Sequence, residues 1–266
     1  MDGGRLCFRT DLAGEGWNPV DWSTFIIAAT VILGAAVISG ITGFGFGLVS
    51  VPPLLMLYPP AAVLAISKIL TLSTSWIVIV HGWRQMKPRM ILALFPFAVI
   101  GMFIGVRVLK HVSADAIKLL ASGVVVGFTL ILLRGIPRGK WNSPVLGPIS
   151  GFVSGVMSTS TGLSGPPIVL YFTLRDVEVQ PFRITIATYF IMLELVGFPT
   201  LIRNDLVTRH DLSIALLMIP IALIGRMIGV RLAPKLSREH FFRLTLGLLM
   251  VTGTIGVVSS VLSLRS

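Results

Sequence analysis

Ser39-Gly40-Ile41-Thr42-Gly43-Phe44-Gly45-Phe46-Gly47, closed by Pro52-Pro53, lies within an apolar run that carries no charge from Trp22 to Ser67. As one helix, residues 22–58 would extend ~55 Å, against a bilayer hydrocarbon core of ~30 Å. Clustered Gly, Ser and Thr sustain a helix poorly. Pro lacks a backbone donor yet fits the first turn of a new helix. The stretch therefore predicts two half-helices meeting at an unwound turn inside a membrane. Residues 144–174 repeat the arrangement, with Ser154-Gly155-Val156-Met157-Ser158-Thr159-Ser160-Thr161-Gly162-Leu163-Ser164-Gly165 leading to Pro166-Pro167. That second run would extend ~45 Å if unbroken.

Working outward, the composition demands a bilayer. Of 266 residues, 54% are hydrophobic and only 12% charged, against about 25% charged in an ordinary soluble chain. Mean hydropathy is +0.90. So few charges cannot cover a water-facing surface. Further apolar spans fall at about 61–81, 90–109, 116–134, 183–202, 212–232 and 241–263, most near the ~20 residues that cross a bilayer. The predicted fold is an all-α polytopic membrane protein of about eight segments. The 22 Lys+Arg against 11 Asp+Glu, net +11, read as juxtamembrane charges that set topology and meet anionic headgroups. Nucleic-acid binding is disfavoured, since no basic run carries interleaved aromatics. A single cysteine, Cys7, excludes an intramolecular disulfide framework and a Cys-based metal site. Residues 1–20 hold no apolar core of a cleavable signal, so the first hydrophobic segment is expected to drive insertion.

The two halves look alike. Ile100-Gly101-Met102-Phe103-Ile104-Gly105-Val106-Arg107 matches Ile224-Gly225-Arg226-Met227-Ile228-Gly229-Val230-Arg231 at an offset of 124. The same offset pairs Pro96 with Pro220, Ser113 with Ser237, Asp115 with Glu239 and Gly123 with Gly247. Self-similarity over several elements indicates a duplicated unit. The expected organisation is an extramembrane segment at 1–21, a first transmembrane repeat at 22–134, a loop at 135–143 and a second repeat at 144–266. The first segment of each repeat is broken or re-entrant. An inverted relation is favoured, with the links near 84–89, 134–140, 175–183 and 231–243 on the more basic, inward side. Corresponding broken helices in the two halves of a transporter point to its binding site.

Unwound backbone in a membrane must line a cavity or be buried in protein. A half-helix starting after Gly47 or Ser164 would aim free N–H groups and a positive dipole end at that cavity. Two such ends suit an anion. Candidate binding residues are Thr42, Gly43, Gly45, Gly47, Ser50 and Pro52 in the first break. In the second they are Thr159, Ser160, Thr161, Gly162, Ser164, Gly165 and Pro166. For Gly101/Gly105 and Gly225/Gly229, close helix packing is the favoured reading. Glu194 is the one carboxylate placed mid-span, and so a candidate proton-coupling group or a partner for a basic side chain. Lys68 could attract an anion or pair with Glu194, though snorkelling to the interface is favoured. Arg183 opens its helix and is expected to face headgroups or the cavity mouth. His81, His111, His210 and His240 fall at span ends or links, so no metal site or cofactor is expected.

At these residues the chain resembles the TauE/SafE family of sulfite exporters and related anion permeases. The likeness rests on Gly43-Phe44-Gly45-Phe46-Gly47 with Pro52-Pro53, on Gly151-Phe152-Val153-Ser154-Gly155 leading to Gly162-Leu163-Ser164-Gly165-Pro166-Pro167, and on Arg183-Ile184-Thr185. It covers about residues 24–262. The resemblance implies secondary transport of sulfite, sulfonates, sulfoacetate-like or other organic anions across a bacterial inner membrane. Cotransport with H⁺ or Na⁺ would reduce the electrical work opposing such an anion. Phe between the first glycines, and Ser-Thr-Ser-Thr at 158–161, depart from the family pattern and leave the particular substrate open. A passive anion channel is the main alternative, although no charged rings are evident. An intramembrane protease using Ser164 in Gly162-Leu163-Ser164-Gly165 is disfavoured, because no histidine lies mid-span to accept its proton. A scaffold or lipid-interacting helical protein is also disfavoured, since duplicated breaks would then serve no purpose.

Overall fold

The computed structural model describes residues 22–80, 82–134 and 143–233. The expected span at 241–263, the N-terminal segment with Cys7, most of the 135–143 loop, His81 and His240 lie outside them. Every regular element among the described residues is helical: α1 (Trp22–Thr42), α2 (Phe46–Leu54), α3 (Pro60–Val80), a single 3₁₀ turn (Trp83–Gln85), α4 (Pro88–His111), α5 (Ala114–Leu133), α6 (Leu146–Ser160), α7 (Gly165–Leu174), α8 (Val179–Arg203) and α9 (Arg209–Leu232). Five of these helices, α1, α3, α4, α8 and α9, are long and apolar enough to cross a membrane. At nine and ten residues, α2 and α7 reach about half that distance.

Both overlong runs are broken, and glycine does the turning. Gly43, Gly45 and Gly162 adopt φ of 81°, 88° and 76°, left-handed values that cost other residues strain. The first new helix starts at Phe46, directly after left-handed Gly45, slightly earlier than the position after Gly47 expected from sequence. The second starts at Gly165. Side chains satisfy the backbone freed by each break, as a membrane interior requires. The Thr42 hydroxyl donates to the Phe44 carbonyl and accepts from the Phe44 N–H. Ser154 Oγ donates to the Ser164 carbonyl at 2.8 Å and accepts from the Tyr189 hydroxyl at 3.1 Å.

Glycine stripes set the closest helix pairs. A Cβ on Gly151 would strike the Leu94 backbone, on Gly155 that of Ala98, and on Gly101 that of Phe152. A second pair packs likewise: a Cβ on Gly225 would meet Leu33 and on Gly229 the Val37 carbonyl. Small residues thus let α4 lie along α6 and α9 along α1, as in other membrane helix pairs. The opposite faces carry exposed Leu92, Ile100 and Phe103 on α4, and Leu216, Leu217 and Ile224 on α9, which suits contact with acyl chains.

The residue pairings also fix direction. Leu94 and Ala98 meet Gly151 and Gly155 in rising order, so α4 and α6 run parallel; Leu33 and Val37 meet Gly225 and Gly229 in the same way along α1 and α9. In contrast, α3 and α8 are antiparallel: Leu64 packs near Leu201, Lys68 meets Glu194, and Gly82 meets Ile184. Short links make α8 and α9 antiparallel, as they do α3 and α4. Hence α1, α3 and α9 point one way and α4, α6 and α8 the other. Because α1 and α3 share a direction, α2 must turn back between them, and α7 does the same between α6 and α8. The Lys87 N–H donates to Thr185 Oγ1 at 3.0 Å, and Arg175 Nη2 donates to the Ser143 carbonyl at 3.3 Å. These bonds bring the links before α4, α6 and α8 to one face. Val112, Leu206 and Val207 cluster at the other with Leu64 and Leu201.

Candidate anion-binding site

The tips of the two broken runs touch. A Cβ on Gly47 would sit 2.5 Å from the Gly162 carbonyl, and one on Gly165 would sit 3.4 Å from Leu48 Cδ1. Beside this contact lies a cavity lined by both breaks (Phe44 to Leu48, and Gly162 to Gly165) and by α3, α6, α8 and α9. Among the described residues, its ionisable lining consists of Lys68, Glu194 and Arg226, each nearly inaccessible to solvent at 3%, 6% and 1% exposure.

Lys68 Nζ donates to Glu194 Oε2 at 2.6 Å and to Ser158 Oγ at 3.0 Å. Lys68 therefore does not snorkel, the reading favoured from sequence. Its ammonium is held deep because a carboxylate and a hydroxyl satisfy it there, and Gly197 makes room for it. A Cβ on Gly197 would lie 2.9 Å from Nζ. Such a pair repays its desolvation only through close geometry and extra hydrogen bonds, and both are present.

Arg226 is the residue that sequence reasoning missed. It projects from α9 with Nη1 donating to Ser39 Oγ and Nη2 to Ser75 Oγ at 3.1 Å, while Nε is buried without an acceptor. Among the described residues no carboxylate pairs with it. Ser67 Oγ, also in the lining, is likewise buried without a partner. Two cations and one carboxylate leave the lining with one surplus positive charge, beside polar atoms that have unused donor capacity. Such a surface attracts an anion.

The half-helix ends contribute unequally. At the start of α2, Phe46, Gly47 and Leu48 are first-turn residues whose N–H groups have no intrahelical acceptor. In the first turn of α7, Pro166 and Pro167 carry no N–H at all, so Gly165 alone offers that kind of donor among its first three residues. The symmetric pair of donor-rich ends expected from sequence is thus donor-rich on one side only.

The other expected residues divide between lining and support. Gly45, Gly47, Gly162, Ser164 and Gly165 line the cavity; Thr42, Gly43, Ser50, Pro52, Thr159, Ser160, Thr161, Pro166 and Arg183 are outside its lining. Ser50 donates to Phe46, Ser160 to Val156 and Thr161 to Met157, each to the carbonyl four residues back. Thr159 reaches across to the Met102 carbonyl at 2.7 Å and staples α6 to α4. Arg183 does not face headgroups. It is buried, and its Nη2 donates to the Gly40 carbonyl at 2.9 Å near the end of α1, where a cation suits both the free carbonyls and the helix dipole. No group of three or more metal-ligating side chains occurs among the described residues.

Comparison with known proteins agrees with this arrangement. The chain is 24% identical over 235 residues, 86% of its own length and 92% of the relative's, to a protein of Cupriavidus necator described as a probable sulfite/organosulfonate exporter TauE. No solved structure matches the chain. The profile of the family described as Sulfite exporter TauE/SafE matches residues 27–255. This multi-pass membrane protein belongs to the TauE/SafE sulfite exporter family.

Proposed function

We propose that the protein is a secondary transporter that moves a small sulfur-containing or organic anion, such as sulfite or a sulfonate, across the bacterial inner membrane by alternating access. The observation that carries this reading is the buried cavity where the two helix breaks meet, with one more cation than carboxylate in its lining. The relative described as a probable sulfite/organosulfonate exporter supports the substrate class. Residues 22–134 and 144–266 act as two inverted repeats, joined through 135–143 and preceded by an extramembrane segment at 1–21. The antiparallel α3 and α8 and the matched pairs α1 with α9 and α6 with α4 support that reading. Rocking of one repeat against the other would expose the cavity to each face in turn.

The contact of the two tips, Gly47 against Gly162, supports a carrier over an open channel. A transporter is favoured over a serine protease, since among the described residues no histidine lines the cavity beside Ser164 to accept its proton. Glu194, bridged to Lys68, is the proposed coupling group, with H⁺ as the coupling ion.

Proteoliposomes test the proposal. Labelled sulfite, thiosulfate, methanesulfonate and small carboxylates are offered under imposed pH gradients and in counterflow. At least one of these anions should enter and show trans-stimulation, which a channel lacks. For the dianion thiosulfate, Glu194→Gln should abolish pH-gradient-driven flux while retaining exchange. Flux without trans-stimulation would replace the carrier by a channel, and unchanged pH dependence in the variant would remove Glu194 from coupling.

A further inference from the structure

Resting on the anion-site reading, we infer that the number of protons taken up with the substrate equals its negative charge minus one, so that monoanions bind alone and dianions bind with one proton on Glu194. The ionisable groups of the cavity are Lys68, Arg226 and Glu194. Lys68 and Glu194 are 2.6 Å apart and compensate each other, while among the described residues Arg226 has hydroxyl partners only. With Glu194 ionised, the described lining carries a surplus of one positive charge, which one monoanion neutralises. The buried Arg183 guanidinium lies outside the lining and is met by the Gly40 carbonyl near the end of α1. A dianion would leave the buried site net negative. Protonating Glu194 releases the Lys68 charge to the substrate and restores neutrality. Uncompensated charge is costly at this depth, so neutrality decides which protonation state accompanies each cargo.

Among the described residues, no other titratable group facing Glu194 can supply the proton change. From α3 the neighbour is Lys68, the sole ionisable residue of that helix. From α6 comes only the Ser158 hydroxyl, through Lys68. On α4 the ionisable residues are Arg89, Arg107, Lys110 and His111, all exposed, and Arg84 in the adjacent 3₁₀ turn is exposed too. On α8 itself, Tyr189 donates to Ser154, Arg183 is tied to Gly40 and Arg203 is exposed. From α9, across the cavity, comes Arg226.

The test uses purified full-length protein and two probes whose charges do not change between pH 6 and 8, methanesulfonate (one negative charge) and thiosulfate (two). Calorimetry in buffers of different ionisation enthalpy counts the protons. Thiosulfate should take up about one proton, with its Kd weakening about tenfold per pH unit as pH rises, because each site must draw one proton from solution. Methanesulfonate should take up none, and its Kd should stay flat. In Glu194→Gln the thiosulfate slope should vanish. In Arg226→Met one positive charge is lost, so methanesulfonate should acquire the one-proton slope. Equal slopes for the two probes in the wild-type protein would overturn the inference while leaving the anion site standing. Failure of both probes to bind would overturn the anion site and this inference together.

Discussion

At the scale of single residues, the centre of the molecule depends on a charge pair that cannot be halved. Replacing Lys68 by Met leaves the buried Glu194 carboxylate without the ammonium that sits 2.6 Å from it. Removing one partner of a buried pair costs about 3–5 kcal/mol. We therefore expect Lys68→Met to lower thermal stability in detergent strongly, and Lys68→Met with Glu194→Gln to regain most of that loss without regaining coupled transport. A double variant as unstable as the single one would refute the pair as the cause. Lys68 and Glu194 were legible in the sequence because each is an isolated charge in an apolar run. The pairing was one of several options until the antiparallel crossing of α3 and α8 brought them together. Arg226 was hidden in plain view: Gly225 and Gly229 around it already had an explanation in helix packing. The available signal was that Met102 occupies its position in the other half. Arg183 was misread because its partner, the Gly40 carbonyl, is 143 residues away and a backbone group leaves no trace in composition.

At the scale of elements, the breaks were readable because Gly, Ser, Thr and Pro cluster inside runs too long for a bilayer. The roles of their hydroxyls were not. A Ser or Thr inside a helix ordinarily bonds back to the preceding turn, and Ser50, Ser160 and Thr161 do so rather than face the cavity. The missing donors of α7 were visible in Pro166-Pro167, yet they matter only once the helix start is fixed at Gly165. Two glycines of the first break make a graded test. Gly45 has open space around its missing side chain, with Thr42 Oγ1 3.9 Å away, whereas a Cβ on Gly43 would meet the Arg183 backbone at 2.7 Å. Both have left-handed φ. Gly45→Ala should thus cost only the conformational strain, roughly 1–2 kcal/mol. Gly43→Ala should cost clearly more and loosen Arg183 from the end of α1. Thermal melts of the two variants in the same detergent decide this, and equal losses would place the strain in φ alone.

At the scale of the whole molecule, the all-helical, multi-pass character was largely legible, since it comes from hydropathy. Relative direction was not, because charge counts at the links differ only mildly. Side-chain pairings across α3 and α8 supply it. The arrangement places Gln85 and Asp176 on one face and Val112 and Asn204 on the other. With Cys7 replaced by Ser, single cysteines at these four positions should react with a membrane-impermeant reagent in two groups. In intact cells 112 and 204 should label, and 85 and 176 should label only after the membrane is opened, as the basic character of their links requires. Labelling of 85 together with 204 from one side would contradict the fold.

The mismatch between Met102 and Arg226 has one more consequence. Were the twin units identical, a cargo ion would meet the same welcome from either compartment, and the carrier would be kinetically reversible in the strict sense. On the proposed two-repeat reading, a guanidinium at 226 against a thioether at 102 removes that equivalence. The proposed site would hold the ion from the flank of α9 with no matching cation from α4, so half-saturation should differ between the two sides of the bilayer. The final distribution of cargo, set by gradients alone, would stay untouched.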